Sequence, residues 1–163
     1  MQNFDFLKNN SDWIEIQKIA HSIVKARNEY AKYIDKILLN FTKNPNILND
    51  FKTIQKNFDI AQSERYEKLK KHSEKLIKDL RAYSYKLSMF LIDAEMKKVL
   101  YFWKIRKAKK NKDKIEDICS ILNRIVMDKC SFTDIIQLAY DIDYEDPYKQ
   151  YYEDYFHNLQ KTK

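Results

Sequence analysis

The stretch that decides the fold is residues 11–41, SDWIEIQKIAHSIVKARNEYAKYIDKILLNF. Trp13, Ile16, Ala20, Ile23, Arg27, Tyr30, Ile34, Ile37 and Phe41 follow one another at spacings of three and four in unbroken alternation. This is the heptad seam of a helix, expected over 11–42, that packs lengthwise on other helices. Ile19, Val24, Ala31 and Leu38 widen the stripe beyond a narrow two-helix seam, so a bundle is expected. Ser11 is a suitable N-cap, and Asp12 places negative charge at the positive end of the helix. Arg27, the charged member of the seam, is expected either to snorkel outward or to pair with a carboxylate from another helix.

Outward from this helix, Asn44 and Pro45 predict a turn, because the residue before proline is pushed away from helical geometry. Residues 47–110 then contain no proline, and the chain has no glycine anywhere. Leu48, Phe51, Ile54, Phe58 and Ala61 recur helically; after a charged stretch at 64–75 the pattern runs on through Leu76, Leu80, Tyr83, Leu87, Phe90, Ala94, Tyr101 and Ile105. One helix over 47–110 is predicted, on the order of 90 Å long. A third seam, Ile115, Ile118, Leu122, Ile125, Lys129, Phe132, Ile136 and Ala139, predicts a helix over 113–143 with Asp113 near its start. Ser131 and Asp134 form a capping-box pattern that predicts a kink there. Tyr148, Tyr152, Tyr155 and Leu159 predict a short amphipathic helix over 148–160, after Pro147. Residues 1–10 are expected to be flexible, and residues 11–160 to form one all-α domain: long antiparallel helices in an elongated, three-helix, coiled-coil-like bundle. Trp13, Ile16, Ile23, Tyr30, Ile34, Ile37, Phe41, Phe58, Leu76, Leu80, Tyr83, Leu87 and Phe90 are the expected core seam. Three such segments leave apolar surface uncovered, so the same seam is the expected dimer interface.

The absence of glycine excludes every phosphate-binding loop written with it. His21, His72 and His157 lie on different segments with no carboxylate or cysteine at metal-ligand spacing, so no metal site is expected. Cys119 and Cys130 read as reduced core cysteines. No activated nucleophile stands out; no cofactor is implied, and an enzyme is not expected. No signal-peptide pattern and no apolar run of membrane-spanning length are visible, so a cytoplasmic protein is expected.

Charge is distributed unevenly within a formal net of +7. Positions 97–114 carry Lys97, Lys98, Lys104, Arg106, Lys107, Lys109, Lys110, Lys112 and Lys114 against Asp113 alone, with Tyr101, Phe102 and Trp103 among them. A lysine-dense helical corner is placed to touch an anionic membrane, where each basic residue contributes roughly 1 kcal/mol. Aromatics among cations also suit nucleic acid, but no nucleic-acid module fits the helical layout, so that partner is disfavoured. Residues 134–154 carry the opposite imbalance, seven acids against Lys149.

The seam with Arg27, Asn28, Glu29, Tyr30 and Ala31, the turn, the long second helix and the basic corner together resemble the BAR superfamily. Residues 26–38 look like the first core helix of BAR and F-BAR domains. Residues 96–110, with Trp103 amid basic residues, look like the helix-two tip of sorting-nexin BAR regions. The resemblance implies a curved homodimer or heterodimer with a related chain, with the nine basic residues as lipid contacts. It further implies binding to anionic or phosphoinositide membranes, a peripheral location on endosomal or other intracellular membranes, and work with trafficking-complex subunits in vesicle traffic. The alternative is a helical adaptor or assembly subunit without direct lipid binding.

Overall fold

The computed structural model describes residues 5–40, 46–95, 102–140 and 157. Among them are four α-helices and no strand: α1 (Ser11–Asn40), α2 (Ile47–Glu95), α3 (Phe102–Val126) and α4 (Phe132–Ala139), preceded by a 3-10 turn at Asp5–Leu7. The chain is all-α. α2, with 49 residues, is about 73 Å long at 1.5 Å per residue.

Cross-contacts fix how the helices run. Gln62 Nε2 donates to the Ile23 carbonyl at 3.2 Å, and His72 Nδ1 lies 2.9 Å from Asp12 Oδ1, so α1 and α2 are antiparallel. The Lys70 ammonium reaches Asp128 at 3.3 Å, and Arg81 acts on the Cys119 thiol, so α3 runs antiparallel to α2 on its other half. α4 lies along α1 in the opposite direction: the Arg27 guanidinium stands 3.7 Å above the Phe132 ring, and His21 meets Tyr140 edge-on at 4.9 Å. All four helices therefore meet around the middle of α2. There Trp13, Ile16, Ile23, Leu69, Leu76, Leu80, Ile115, Ile118, Leu122 and Ile136 are buried together. Ser73 is the one polar side chain on α2 in this core, and its hydroxyl donates back to the Leu69 carbonyl at 2.7 Å. Toward either end the bundle thins to two helices, the α1–α2 arm on one side and the α2–α3 arm on the other.

The expected boundaries need several corrections. A single helix over 47–110 does not form, since α2 ends at Glu95 and α3 folds back on it from Phe102. No breaker residue marks this reversal, and the positions Ala94, Tyr101, Ile105 and Ala108 keep helical spacing across it. The two helices share one heptad phase, so periodicity alone cannot separate them. The corner expected near Asp113 lies inside α3, because the lysines around it are good helix formers and the apolar spacing continues through them. The helix expected over 113–143 is divided. Asp128 takes a left-handed φ of 56°, a conformation Asp tolerates better than most residues, and α4 restarts behind the Ser131 capping box. Lys129 is thereby lifted out of its seam position and is exposed. Arg27 is exposed, as an outward-snorkelling charge should be, and its guanidinium also covers the Phe132 ring of α4. Of the segment 148–160 only His157 is described, and Phe41 lies outside the described residues.

Residues 5–10 are not a loose leader: Leu7 is buried, and Phe6 stacks on Tyr83 at 5.4 Å. Asn10, rather than Ser11, caps α1, its Oδ1 accepting from the Trp13 N–H at 2.9 Å. Replacing Asn10 by Ala is expected to cost about 1 kcal/mol of stability, measurable as a shift in the denaturation midpoint.

Candidate anionic-surface interface on the α2–α3 arm

In the α2–α3 arm two helices cover each other on one side only. Ala94 on α2 and Ala108 on α3 are both buried. Leu87 and Phe90, seam residues on α2, are half-buried, Leu87 against the edge of the core. What remains turns outward.

Phe102 is 60% and Trp103 75% exposed, and their rings meet edge-on at 5.7 Å. Lys104, Arg106, Lys107, Lys109 and Lys110 are exposed behind them, whereas Lys112 and Lys114 are half-buried. Helical spacing orders this surface into two adjacent rows, Trp103–Lys107–Lys110 and Phe102–Arg106–Lys109. An aromatic therefore leads each row, with cations one and two turns behind it. The first turn of α3 itself holds no acid, so within the helix the partial positive charge of its start adds to that of the cations. Asp113 is the first acid along α3. Lys97 and Lys98, expected as part of the same run, lie outside the described residues. The run as a whole is thus the side of an arm as much as its tip.

The other expected site residues divide by position. Trp13, Ile16, Ile23, Leu76 and Leu80 are buried by the chain's own helices, which leaves them nothing to offer a partner. Tyr30, Ile34, Ile37, Phe58, Tyr83, Leu87 and Phe90 are half-buried. Tyr30 and Phe58 stack at 4.2 Å, nearly parallel, in the α1–α2 arm. They line an open cleft of about 430 Å³ with Ala26, Tyr33 and Ala61, flanked by Glu29 and Arg65.

Two apolar groups are exposed against expectation: Tyr85, Met89 and Ile92 are not marked out by the seam pattern, and Leu38 and Leu48, expected on packed apolar stripes, face outward. Tyr85, Met89 and Ile92 form a stripe on α2 beside the half-buried seam Tyr83, Leu87 and Phe90. Their spacing of four and three was the available signal, hidden because the neighbouring seam has the same period. At the far end, Leu38 (70%), Leu39 (78%) and Leu48 are exposed where α1 ends and α2 begins.

The reactive groups are quiet by comparison. Burial pushes both the Cys119 and Cys130 thiols up, and both cysteines are free. Among the described residues no group of His, Cys, Asp or Glu is arranged to hold a metal ion, and no helix is long and apolar enough to cross a membrane. No family model matches the chain, and no curated protein or solved structure matches it.

Proposed function

We propose that this chain is a non-enzymatic helical scaffold that binds anionic membrane surfaces through the α2–α3 arm. It works as a dimer, peripheral on intracellular membranes, and senses or shapes their curvature in vesicle traffic. The observation that carries the lipid reading is the exposed Phe102–Trp103 pair followed along α3 by five exposed cations. Amphipathic helices held at a membrane surface combine basic residues with aromatic and aliphatic anchors. Lysine and arginine near an anionic surface contribute about 1 kcal/mol each, so five suffice for reversible attachment without a spanning segment.

Co-sedimentation with vesicles tests this. Vesicles containing phosphatidylserine are expected to carry the protein down, and purely zwitterionic vesicles to leave it in solution. Binding should weaken as salt rises, because the Debye length shrinks from about 8 Å at physiological ionic strength to about 3 Å at 1 M. Equal binding to both vesicle types sinks the reading, as does a polynucleotide bound more tightly than either.

The adaptor reading has one observation in its favour, the Leu38, Leu39 and Leu48 tip, which carries exposed apolar surface at the end opposite the cations. Contiguous apolar patches of this kind mark protein contacts. If the tip is such a contact, Leu38→Asn with Leu39→Asn releases a co-purifying protein while vesicle binding is unchanged.

A further inference from the structure

α2 carries a second heptad stripe besides the seam that packs on the core. Ala82, Tyr85, Met89 and Ile92 follow at spacings of three, four and three, and all are exposed. At about 100° per residue, positions two apart face nearly opposite sides of a helix. Each member of the stripe stands two places from Leu80, Tyr83, Leu87 or Ala94, which are buried or packed against the core. The stripe therefore looks away from that row, and away from α3, which runs beside the row in this arm. An apolar stripe of three-and-four spacing is the surface one helix offers another.

We infer that the occupant of this stripe is the same stripe on a second copy of the chain, packed antiparallel about a twofold axis near Met89. The flanking charges select both the partner and its direction. Lys86 and Asp93 flank the stripe on one side, Arg81 and Glu95 on the other, and all four are exposed. On each flank the sign thus reverses from the beginning of the stripe to its end. An antiparallel pair lays equal flanks together in opposite directions, so Lys86 of each copy comes opposite the partner's Asp93. One twofold operation makes that contact twice, as an isologous interface requires. A parallel pair lays opposite flanks together and sets Arg81 against the partner's Lys86, like against like. Exposed ion pairs contribute little to affinity but fix orientation, while Tyr85, Met89 and Ile92 supply the apolar centre. From Ala82 to Ile92 the stripe is ~16 Å long, so the dimer is a reversible one at the small end of interface sizes. The cations of α3 stay free for an anionic surface. With neighbouring helices about 8–10 Å apart, the two α3 helices flank the α2 pair at about 24–30 Å from each other, at least three Debye lengths at physiological salt. This rests on the dimeric part of the proposed function and names its surface; it does not rest on lipid binding.

Full-length variants compared by sedimentation equilibrium test it. Met89→Asp sets two carboxylates beside each other near the axis and is expected to raise the dimer dissociation constant at least about a hundredfold. Lys86→Glu alone, or Asp93→Lys alone, sets like charges together at both flanking contacts and is expected to raise it at least about tenfold. The double variant K86E/D93K restores opposite charges at both contacts, and its dimer is expected to return to within about threefold of wild type. In a parallel pair Lys86→Glu would meet Arg81 and tighten the dimer, a result that overturns the inference. If wild type is a monomer at every concentration, the dimeric reading and this inference fail together. If it dimerises but ignores Met89→Asp or the single swaps, or the double variant fails to recover, only this inference fails. All substituted positions are exposed, and circular dichroism of each variant checks that the helices are intact. Vesicle binding is scored separately and bears on neither outcome.

Discussion

Changing Lys107, Lys109 and Lys110 together to glutamate is expected to weaken binding to phosphatidylserine vesicles by at least about a hundredfold. Removing three cations forfeits about 3 kcal/mol at roughly 1 kcal/mol each, and every 1.4 kcal/mol is tenfold in affinity. Reversing the charges adds repulsion to that loss. All three side chains are exposed, and lysine and glutamate have similar helix propensity, so the melting temperature should scarcely move. Co-sedimentation that survives the triple change would move the lipid contact away from α3.

Asp134→Ala is expected to produce the largest loss of stability of any single change of a polar residue in the described bundle, about 2–4 kcal/mol. α4 has only 8 residues, too short to persist in water unaided. It is held by burying Ile135, Ile136 and Leu138 in the core and by what Asp134 does at its start. That carboxylate accepts a forked pair from Arg124, Nε at 3.0 Å and Nη2 at 2.8 Å, and also accepts from the Ser131 N–H at 3.0 Å. In return the Ser131 hydroxyl accepts from the Asp134 N–H at 3.2 Å. Alanine removes the charge, the fork and half of the capping box at once. Arg124 remains 42% exposed and rehydrates, which keeps the cost below that of a fully buried pair. Burial by itself would raise the Asp134 carboxyl, but the Arg124 guanidinium and the Ser131 N–H outweigh it and hold it below the usual carboxylate range. A depressed carboxyl stabilises the fold fully above its unfolded-state value and loses that contribution as pH falls through its lowered folded value. Denaturant melts of wild type and variant should therefore differ most at neutral pH and converge in acid.

The helical class and the α1–α2 reversal were legible because seam spacing and the residue before a proline are local signals. Residues 11–41 announce α1, and Ser131 with Asp134 announces α4 to the residue. The α2–α3 reversal was not legible. Its flanking residues, Ala94 and Ala108, are small interface positions in phase with each other, and a hairpin whose arms share one phase reads as a single helix. Asn10 was passed over for Ser11, since both residue types cap and only the Trp13 N–H distinguishes them. For Arg27 the outward course of the side chain was legible, but the ring from α4 that lies beneath it was not, because sequence shows a cation in a seam and not its neighbour. The site was legible as composition only. Eighteen positions announced a cationic patch, while the order of its rows, aromatic first and cations behind, depends on where α3 begins.

Because α2 is uninterrupted from Ile47 to Glu95, it fixes an angle as well as a distance. Each residue advances the helix by about 100°, so the leucine tip at one end and the cationic rows at the other are locked at one dihedral about a common axis. A single residue inserted into α2 between its two partners would swing one end by more than a quarter turn while changing the separation by only ~1.5 Å. Length in this helix is therefore read as phase: a seven-residue insertion would be absorbed almost silently, and a one-residue insertion would point the two ends at different surfaces.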